Sequence, residues 1–398
     1  MSLAAQMQVY TGGKKTMRAV GVIGLLGMVA SLSGIAFAGP KQAYSSYLFA
    51  YTYWVGISVA SLLLLTIFHA VKARWMVVLR RAVETMSLTL PLFIVLFIPV
   101  ALGMKHLFVW VAPPSTLSKE ALHLLQHKQP YLNVPFFLAR AGGYFALWTL
   151  VGHFLHRWST QQDLTGDVKL TVKQRILGTS SIPFIALAMT FAAFDWLMSL
   201  DPLWFSTIFG TYYFAGAFVS AISILIIAST YGQTTNLFGR LVSLAQFHSL
   251  GKLLLAFTAF WAYIAFSQFM LIWVANLPEE TPWFILRTQG GWFPVAIFLV
   301  VGHFLIPFFI LLSQSLKLQP RRLAWVAIWI LFAHAVDTYW MVMPVFSPGG
   351  PSLHPLDLAA FLGIGGLTIA FGIWRHQGHY SVPVRDPYLD DSLSYTQP

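Results

Sequence analysis

The sequence predicts an all-α protein that crosses a membrane about ten times, as two four-helix bundles with one further helix at each end. Of the 398 residues, 57% are hydrophobic and only 9% are charged, whereas a soluble domain has about 25% charged residues. Several apolar segments are long enough to cross about 30 Å of hydrocarbon, which takes about 20 residues. In addition, the string VGHFL begins at Val151 and again at Val301.

Composition also excludes several kinds of site. The chain contains no cysteine, so it carries no disulfide, iron–sulfur cluster or thiolate metal site, and any such cofactor belongs to a partner. We expect no metal bound by this chain. The net charge of +11 could suggest nucleic acid, but the basic residues lie in short loops between apolar segments. Membrane topology explains that distribution, and no nucleic-acid partner is expected.

Ten segments satisfy the length requirement for a membrane helix. They cover 17–38, 47–69, 86–104, 134–155, 181–200, 205–231, 250–275, 292–313, 323–346 and 356–374. The boundaries of the third and fifth segments are poorly defined in the sequence because of Pro91, Pro99 and Pro183. Kinks at these prolines are tolerable where neighbouring helices satisfy the freed carbonyl groups.

The first segment has features of a secretory signal. Lys14, Lys15 and Arg18 precede an apolar run that ends in an A-x-A cleavage pattern at 36–38. We expect the segment to be retained as the first membrane helix.

Lysine and arginine residues concentrate in the loops on one side of the predicted helices. Because cytoplasmic loops carry the excess of basic residues, both termini are predicted to be cytoplasmic. The stretches 105–130 and 276–291, the second with the acidic string PEET, then face the outside.

The repeat extends beyond VGHFL. Matching strings are RAGGYF at 140–145 with RTQGGWF at 287–293, YWVG at 53–56 with YFAG at 213–216, and an aspartate seven residues before a proline at Asp195 and Asp337. Helices 2–5 therefore look like a copy of helices 6–9 in the same orientation, which is a parallel repeat. Chance similarity among apolar helices is the alternative.

The predicted divisions follow from this repeat. They are 1–46 for the N-terminal tail and first helix, 47–204 for the first bundle, 205–346 for the second, and 347–398 for the last helix and a cytoplasmic tail.

Arg140 and Asp195 lie on consecutive predicted helices of the first bundle, in the outer third of the membrane. A charge at mid-bilayer costs roughly 2.5 to 3.5 kcal/mol even on insertion scales, so such groups need partners. An ion pair would relieve part of both desolvation costs. It would serve either a quinone headgroup or proton relay, or only helix packing.

Three further titratable groups lie in the second bundle. His303 is near the middle of helix 8, while His334 and Asp337 are three residues apart on helix 9 and share a face. A buried histidine beside a carboxylate can exchange a proton near neutral pH. The alternative is a neutral histidine bonded to a carbonyl. His153 in the first VGHFL copy, nearer the cytoplasmic side, could be the entry of a half-channel.

Helix 7 contributes a weaker candidate. Tyr263, Ser267 and Gln268 could line a quinone or polar pocket, but ordinary interhelical hydrogen bonds explain them equally well. Haem would need paired histidines at equal depth on facing helices. His303 and His334 meet that condition, whereas His69 and His153 lie too near the cytoplasmic side, so haem is not expected.

Three long strings are distinctive: FDWLMSLDPLWFSTIFGTYYFAGAFVS at 194–220, FWAYIAFSQFMLIWVANLPEETPWFILR at 260–287, and VPVRDPYLDDSL at 382–393. They resemble membrane subunits of the NrfD or polysulfide-reductase family, in the branch found in bacterial alternative complex III. The resemblance spans nearly the whole chain. It implies two four-helix bundles in the bacterial inner membrane.

The resemblance further implies a subunit of a quinol:electron-acceptor oxidoreductase that is not catalytic alone. Expected partners are multihaem cytochrome c and iron–sulfur subunits, a paralogous NrfD-like membrane subunit, and lipid. Quinone or quinol is a possible ligand, although the paralogue is the better candidate for that site. A proton-conducting role would use Arg140, Asp195 and His153 in one half and His303, His334 and Asp337 in the other.

Two other functions remain open. A secondary transporter also combines internal repeats with buried charges, although transporter repeats are more often inverted. A structural scaffold would dock redox subunits through the outer loops and conduct no protons.

Overall fold

The structure is a computed structural model that describes residues 9–233 and 241–397. These residues form an all-α polytopic membrane fold, as predicted, with ten helical spans long and apolar enough to cross a bilayer. We number them α1 Lys14–Phe37, α2 Pro40–Ala70, α3 Arg74–Leu102, α4 Val134–Thr165, α5 Val168–Leu200, α6 Phe209–Gly232, α7 Leu244–Ala275, α8 Gly290–Leu312, α9 Pro320–Val345 and α10 Pro355–His376.

Both ends of the described chain lie on the same side of the helices. Val9, just before α1, forms an antiparallel bridge with Tyr380, just after α10. We call this the terminal side and the opposite one the loop side. The loop side carries two short helices, Lys119–Lys128 and Thr281–Thr288.

Two spans occupy the centre of the molecule. In the most apolar 18-residue stretch of α2, 94% of the residues are buried within the chain. The same share is 78% in α6 and 17% in α1. The helices α2 to α5 contact one another, α6 to α9 form a second contacting group, and α2 also packs against α6 and α9. The division into two bundles and their descent from one repeat stay predictions.

Glycines join α1 to α10. A Cβ atom on Gly27 would lie 2.6 Å from the carbonyl oxygen of Ala359 and 2.6 Å from the nitrogen of Gly363, and one on Gly24 would lie 2.6 Å from the nitrogen of Leu367. The two backbones are thus in direct contact. Small residues that permit such close approach are a common means of helix association in membranes.

The third span differs from the prediction. It was expected to cover 86–104, but its helical structure begins at Arg74. The predicted start is too late because the charges of Arg80 and Arg81 make this stretch resemble a loop. At its other end the span breaks into short helices at its prolines, Leu90–Leu96 and Ile98–Leu102, since proline removes a helical hydrogen bond.

The two VGHFL copies have different backbones. The first lies in the continuous α-helix Val134–Thr165, whereas the second lies within a π-helical segment, Leu299–Leu305, in α8. A π-helical turn accommodates an extra residue and often occurs at functional sites. It therefore changes the direction of the side chains that follow it.

The C-terminal tail crosses the terminal side and binds several helices. Asp386 pairs with Arg80 of α3 at 2.6 Å, and Arg385 donates to the carbonyl of Leu164 in α4 at 2.5 Å. Gln246 of α7 donates to the Ser392 carbonyl at 2.9 Å. The tail thus connects helices of both bundles.

Candidate functional site

The polar side chains inside the membrane form three groups. The loop-side cluster is centred on Asp195, the central cluster on Asp337, and the terminal-side cluster on Glu84. Each lies at a different depth, and only the first two were expected from the sequence.

In the loop-side cluster, Arg140 binds Asp195 through both carboxylate oxygens. Its Nε donates to Oδ2 at 2.9 Å and its Nη2 to Oδ1 at 2.8 Å. Tyr144 also donates to Oδ2 at 2.9 Å. A two-bond guanidinium–carboxylate pair fixes both side chains and cancels their charges. The contact expected between Arg140 and Asp195 is therefore present.

Aromatic rings and a carbonyl complete this cluster. The Arg140 guanidinium lies 3.8 Å from the ring centre of Tyr131 and 4.3 Å from that of Phe136, and its Nη1 donates to the Tyr131 carbonyl at 2.9 Å. Burial, followed by the Asp195 carboxylate, raises the pKa of Tyr131. The Tyr131 hydroxyl therefore stays protonated at neutral pH and cannot act as an anion here.

In the central cluster, Asp337 is fully buried and has no lysine or arginine partner among the described residues. Tyr212 of α6 donates a hydrogen bond to its Oδ1, and the indole of Trp261 in α7 donates to Oδ2 at 3.1 Å. His334 Nδ1 lies 3.4 Å from Oδ2. This carboxylate is thus stabilised by neutral donors and by one histidine that can carry a proton.

Two histidines adjoin this carboxylate. The rings of His303 and His334 have centres 6.2 Å apart, and His303 lies 3.9 Å from the Trp261 ring centre. His303 Nδ1 and His334 Nε2 are buried without a hydrogen-bond partner among the described residues, whereas His334 Nδ1 faces Asp337. Buried polar atoms are normally paired, so these nitrogens indicate a bound water or an exchanging proton.

The backbone provides the space for these rings. A Cβ atom on Gly216 would lie 2.5 Å from His334 Cε1 and 2.6 Å from its Nδ1, so only glycine fits at this position of α6. The π-helical segment of α8 carries His303. The YFAG string and the second VGHFL copy therefore meet at the central cluster.

The terminal-side cluster was not predicted. Arg80 pairs with Asp386 at 2.6 Å and approaches Glu84 at 3.3 Å, while Arg81 pairs with Glu84 at 2.8 Å and also with Asp163. All five side chains are buried. These charges span α3, α4 and the tail, so contact between them could not be seen from sequence spacing.

The charges of this cluster do not balance. Two guanidinium groups, those of Arg80 and Arg81, face three carboxylates, leaving one negative charge. His156 Nδ1 lies 3.2 Å from Glu84 Oε2, so a proton on His156 would bring the cluster to neutrality. Burial favours neutrality because isolated charges are costly in a low dielectric. The arrangement can therefore hold one exchangeable proton.

The remaining expected residues lie elsewhere. His153 is exposed on α4, and Tyr263 is 65% exposed on α7. Gln268 is buried with an unpaired amide nitrogen, and Ser267 is half-buried. Neither the His153 nor the Tyr263 side chain is therefore buried, unlike Gln268.

The repeat aligns Arg287 with Arg140, but the two arginines make different contacts. It does not pair with Asp337 but donates to the carbonyls of Trp283, Trp340 and Met341 at 2.9 to 3.2 Å. Burial lowers its pKa to about 9, so it remains charged at neutral pH. The two bundles therefore hold their buried aspartates differently, one with an arginine and one without.

A cavity of about 220 Å³ is lined by residues of α2, α3, α6 and α10. Among its lining residues, His376 contacts Thr85 at 2.9 Å, and Ser58 and Thr89 are hydrogen-bonded at 2.8 Å. Trp54 also lines the cavity, and the ring of the neighbouring Tyr53 lies 5.4 Å from that of His334. The cavity is large enough for several waters, and hydroxyl groups line part of it.

No protein-family model matches the chain, and no curated protein matches it significantly. Among residues 9–233 and 241–397, no group of three or more His, Asp or Glu side chains is arranged to hold a metal ion.

Proposed function

We propose that this protein is an integral, ActF-like subunit of a respiratory quinol:electron-acceptor oxidoreductase of the alternative complex III type, and that it conducts protons. The observation that carries the proton-conducting role is Asp337, a fully buried carboxylate without a basic partner other than His334 in the described chain. The strings at 194–220 and 260–287 support the family assignment.

Asp337 suits proton transfer because its charge is not permanently cancelled. An arginine partner would hold a carboxylate ionised, as in the pair of Arg140 with Asp195. Tyr212 and Trp261 stabilise the anion by hydrogen bonds, while His334 offers a site to which its proton can pass. Titratable groups inside a membrane that face the bundle interior are typical of proton relays.

The route we propose begins at the terminal-side cluster. A proton taken up at His156 or a neighbouring carboxylate would pass His376 and the hydroxyl groups of the cavity. It would then reach His334 and Asp337 by way of bound water. The neutral pair of Arg140 and Asp195 lies towards the loop side and would organise, rather than carry, the second half of the route.

The partners in this proposal are those of the family. Multihaem and iron–sulfur subunits would carry the electrons, and a paralogous membrane subunit would bind the quinone. The chain would reside in a bacterial inner membrane with the terminal side towards the cytoplasm. It would then couple electron transfer elsewhere in the complex to proton movement.

Proton flux into liposomes containing the purified complex tests the proposal. Asp337→Asn should lower the protons moved per electron by at least half with subunit composition unchanged, since an amide cannot release a proton. Asp195→Asn should mainly impair assembly, because it removes the carboxylate that pairs with the half-buried Arg140. Asp201→Asn, in a loop-side turn, is the matched control.

Two results would contradict the proposal. Unchanged proton coupling in Asp337→Asn, His303→Gln and His334→Gln would leave only a scaffold role. Solute uptake by liposomes that contain this chain alone would indicate a secondary transporter instead.

A further inference from the structure

An open pocket of about 460 Å³ lies on the terminal side between α4 and α10, and His156 of the terminal-side cluster forms part of its lining. Its lining is basic and contains no aspartate or glutamate: it includes His153, Arg157, Thr160, Trp374, Arg375 and His379. A cavity of this size and composition can enclose a phosphate group and its ester substituents.

The positive charge of this pocket is not cancelled within the described chain. Arg157 and Arg375 form no ion pair with described residues, unlike Arg80 and Arg81 nearby, which face three carboxylates. The Nε atom of Arg375 is buried without a hydrogen-bond partner. This nitrogen is available to bind an anionic ligand, because buried donors are normally paired.

The surroundings of the pocket place it where the bilayer meets water. Below it on α4, Leu150 is 54% exposed and Phe154 is 38% exposed; on α10, Trp374 is 56% exposed. Exposed apolar side chains face the acyl chains, and tryptophan is enriched at the level of the headgroups. On the other side of the pocket, away from the membrane, α4 continues to Thr165. Protein therefore flanks the pocket there, while the pocket stays open to lipid headgroups.

We propose that this pocket binds the phosphodiester headgroup of an anionic phospholipid, with its acyl chains along Leu150 and Phe154. Arg157 and Arg375 supply the guanidinium groups that recognise phosphate. The ring nitrogens of His153 and His379 supply further donors. Basic pockets between membrane helices bind such headgroups in this way. His153 is thereby a lipid ligand and does not belong to a proton route.

Native mass spectrometry of the full chain released from nanodiscs tests this proposal, with phosphatidylglycerol and phosphatidylcholine as the probes. Phosphatidylglycerol should bind at least tenfold more tightly. Arg157→Gln or Arg375→Gln should each weaken its binding about fivefold, and the double variant about 25-fold. The double lysine variant should retain part of the preference because it keeps both charges.

Arg321→Gln/Arg322→Gln is the matched control, because both arginines are exposed on the terminal side at the start of α9. Its lipid preference should equal that of the original chain. Equal binding of both lipids would overturn the proposal, as would an equal loss in the control. Inorganic phosphate that competes as well as phosphatidylglycerol would show a site for a free anion instead. A monodisperse elution profile checks that each variant is folded.

Discussion

Gly216 matters at the scale of single residues because its missing side chain leaves room for His334. An added methyl group would lie only 2.5 Å from the nearest atom of the imidazole ring, well inside the normal van der Waals separation of about 3.5 to 4.0 Å. Both α6 and α9 are firmly packed here, so the ring must move away from Asp337. The glycine therefore determines the position of the histidine that could exchange the proton.

Gly216→Ala should destabilise the protein by about 1 to 3 kcal/mol through overpacking and should lower proton flux. Thermal unfolding in detergent and dye-monitored flux in liposomes measure the two effects. Gly142→Ala is the matched control, because nothing lies within 4 Å of a Cβ atom at that membrane-helix position. It should leave stability unchanged or raise it by up to about 1 kcal/mol. Equal effects of the two variants would contradict the role given to Gly216.

Sequence reasoning at this scale succeeded where a residue has few choices. Arg140 and Asp195 were expected to pair because both are charged inside a membrane. Arg140 Nη2 lies 2.8 Å from Asp195 Oδ1. The orientation of His153 was not predictable in this way, because a histidine near a helix end can face either lipid headgroups or the bundle interior. The rotation of α4 decides between these, and tertiary packing sets that rotation.

At the scale of elements, the π-helical segment Leu299–Leu305 sets the direction of His303. Removal of one residue would convert this segment to regular α-helix. Side chains on one side of the deletion would then rotate by about 100° relative to the other, since an α-helix has 3.6 residues per turn.

Deletion of Val300 should therefore separate His303 from Trp261 and abolish most proton flux, while α8 still spans the membrane. Proton flux in liposomes measures the loss, and circular dichroism verifies that helix content is retained. Val300→Ala is the control, since this side chain is 55% exposed and its truncation keeps the π-helical register. Normal flux after the deletion would show that the register of α8 does not matter.

The start of α3 shows why the ends of some helices cannot be predicted from the sequence. Arg80, Arg81 and Glu84 look like loop residues because a hydropathy window penalises each charge separately. In the structure these charges neutralise one another in part and take Asp163 and Asp386 as further partners. The helix therefore begins before the apolar run, for a reason that depends on residues more than 75 positions away.

At the scale of the whole molecule, the C-terminal tail connects the bundles, and its attachment should depend on pH. His379 is half-buried near His156, Arg81, Arg375 and Glu84. Burial, followed by the positive neighbours, lowers its pKa from the usual value near 6.5. The detached tail consequently binds a proton more readily, so attachment weakens as the pH falls below about 6.5.

Hydrogen exchange of residues 377–397, corrected for intrinsic rates, should therefore show protection factors a few fold lower at pH 5.5 than at pH 7.5. In His379→Gln this part of the pH dependence should disappear. If the tail is equally protected at both pH values, or if the variant shows the same dependence, His379 does not control the attachment.

The overall architecture was largely predictable, since ten long apolar segments leave few alternatives for a membrane protein. The composition and the lengths of the segments sufficed for the fold class. Contacts between distant parts were not predictable in the same way. The tail residue Asp386 and the membrane residue Arg80, for example, are joined by packing that no local pattern indicates.

The glycine contact between α1 and α10 joins two helices that are synthesised far apart in time. At about 5 to 20 residues per second, α1 resides in the bilayer for tens of seconds before α10 has been translated. During that time the exposed backbone around Gly27 meets only lipid or a temporary helper. The contact thus forms only after α10 has been made, and a ribosome that stops before Pro355 would release a chain in which α1 has no permanent neighbour on that face.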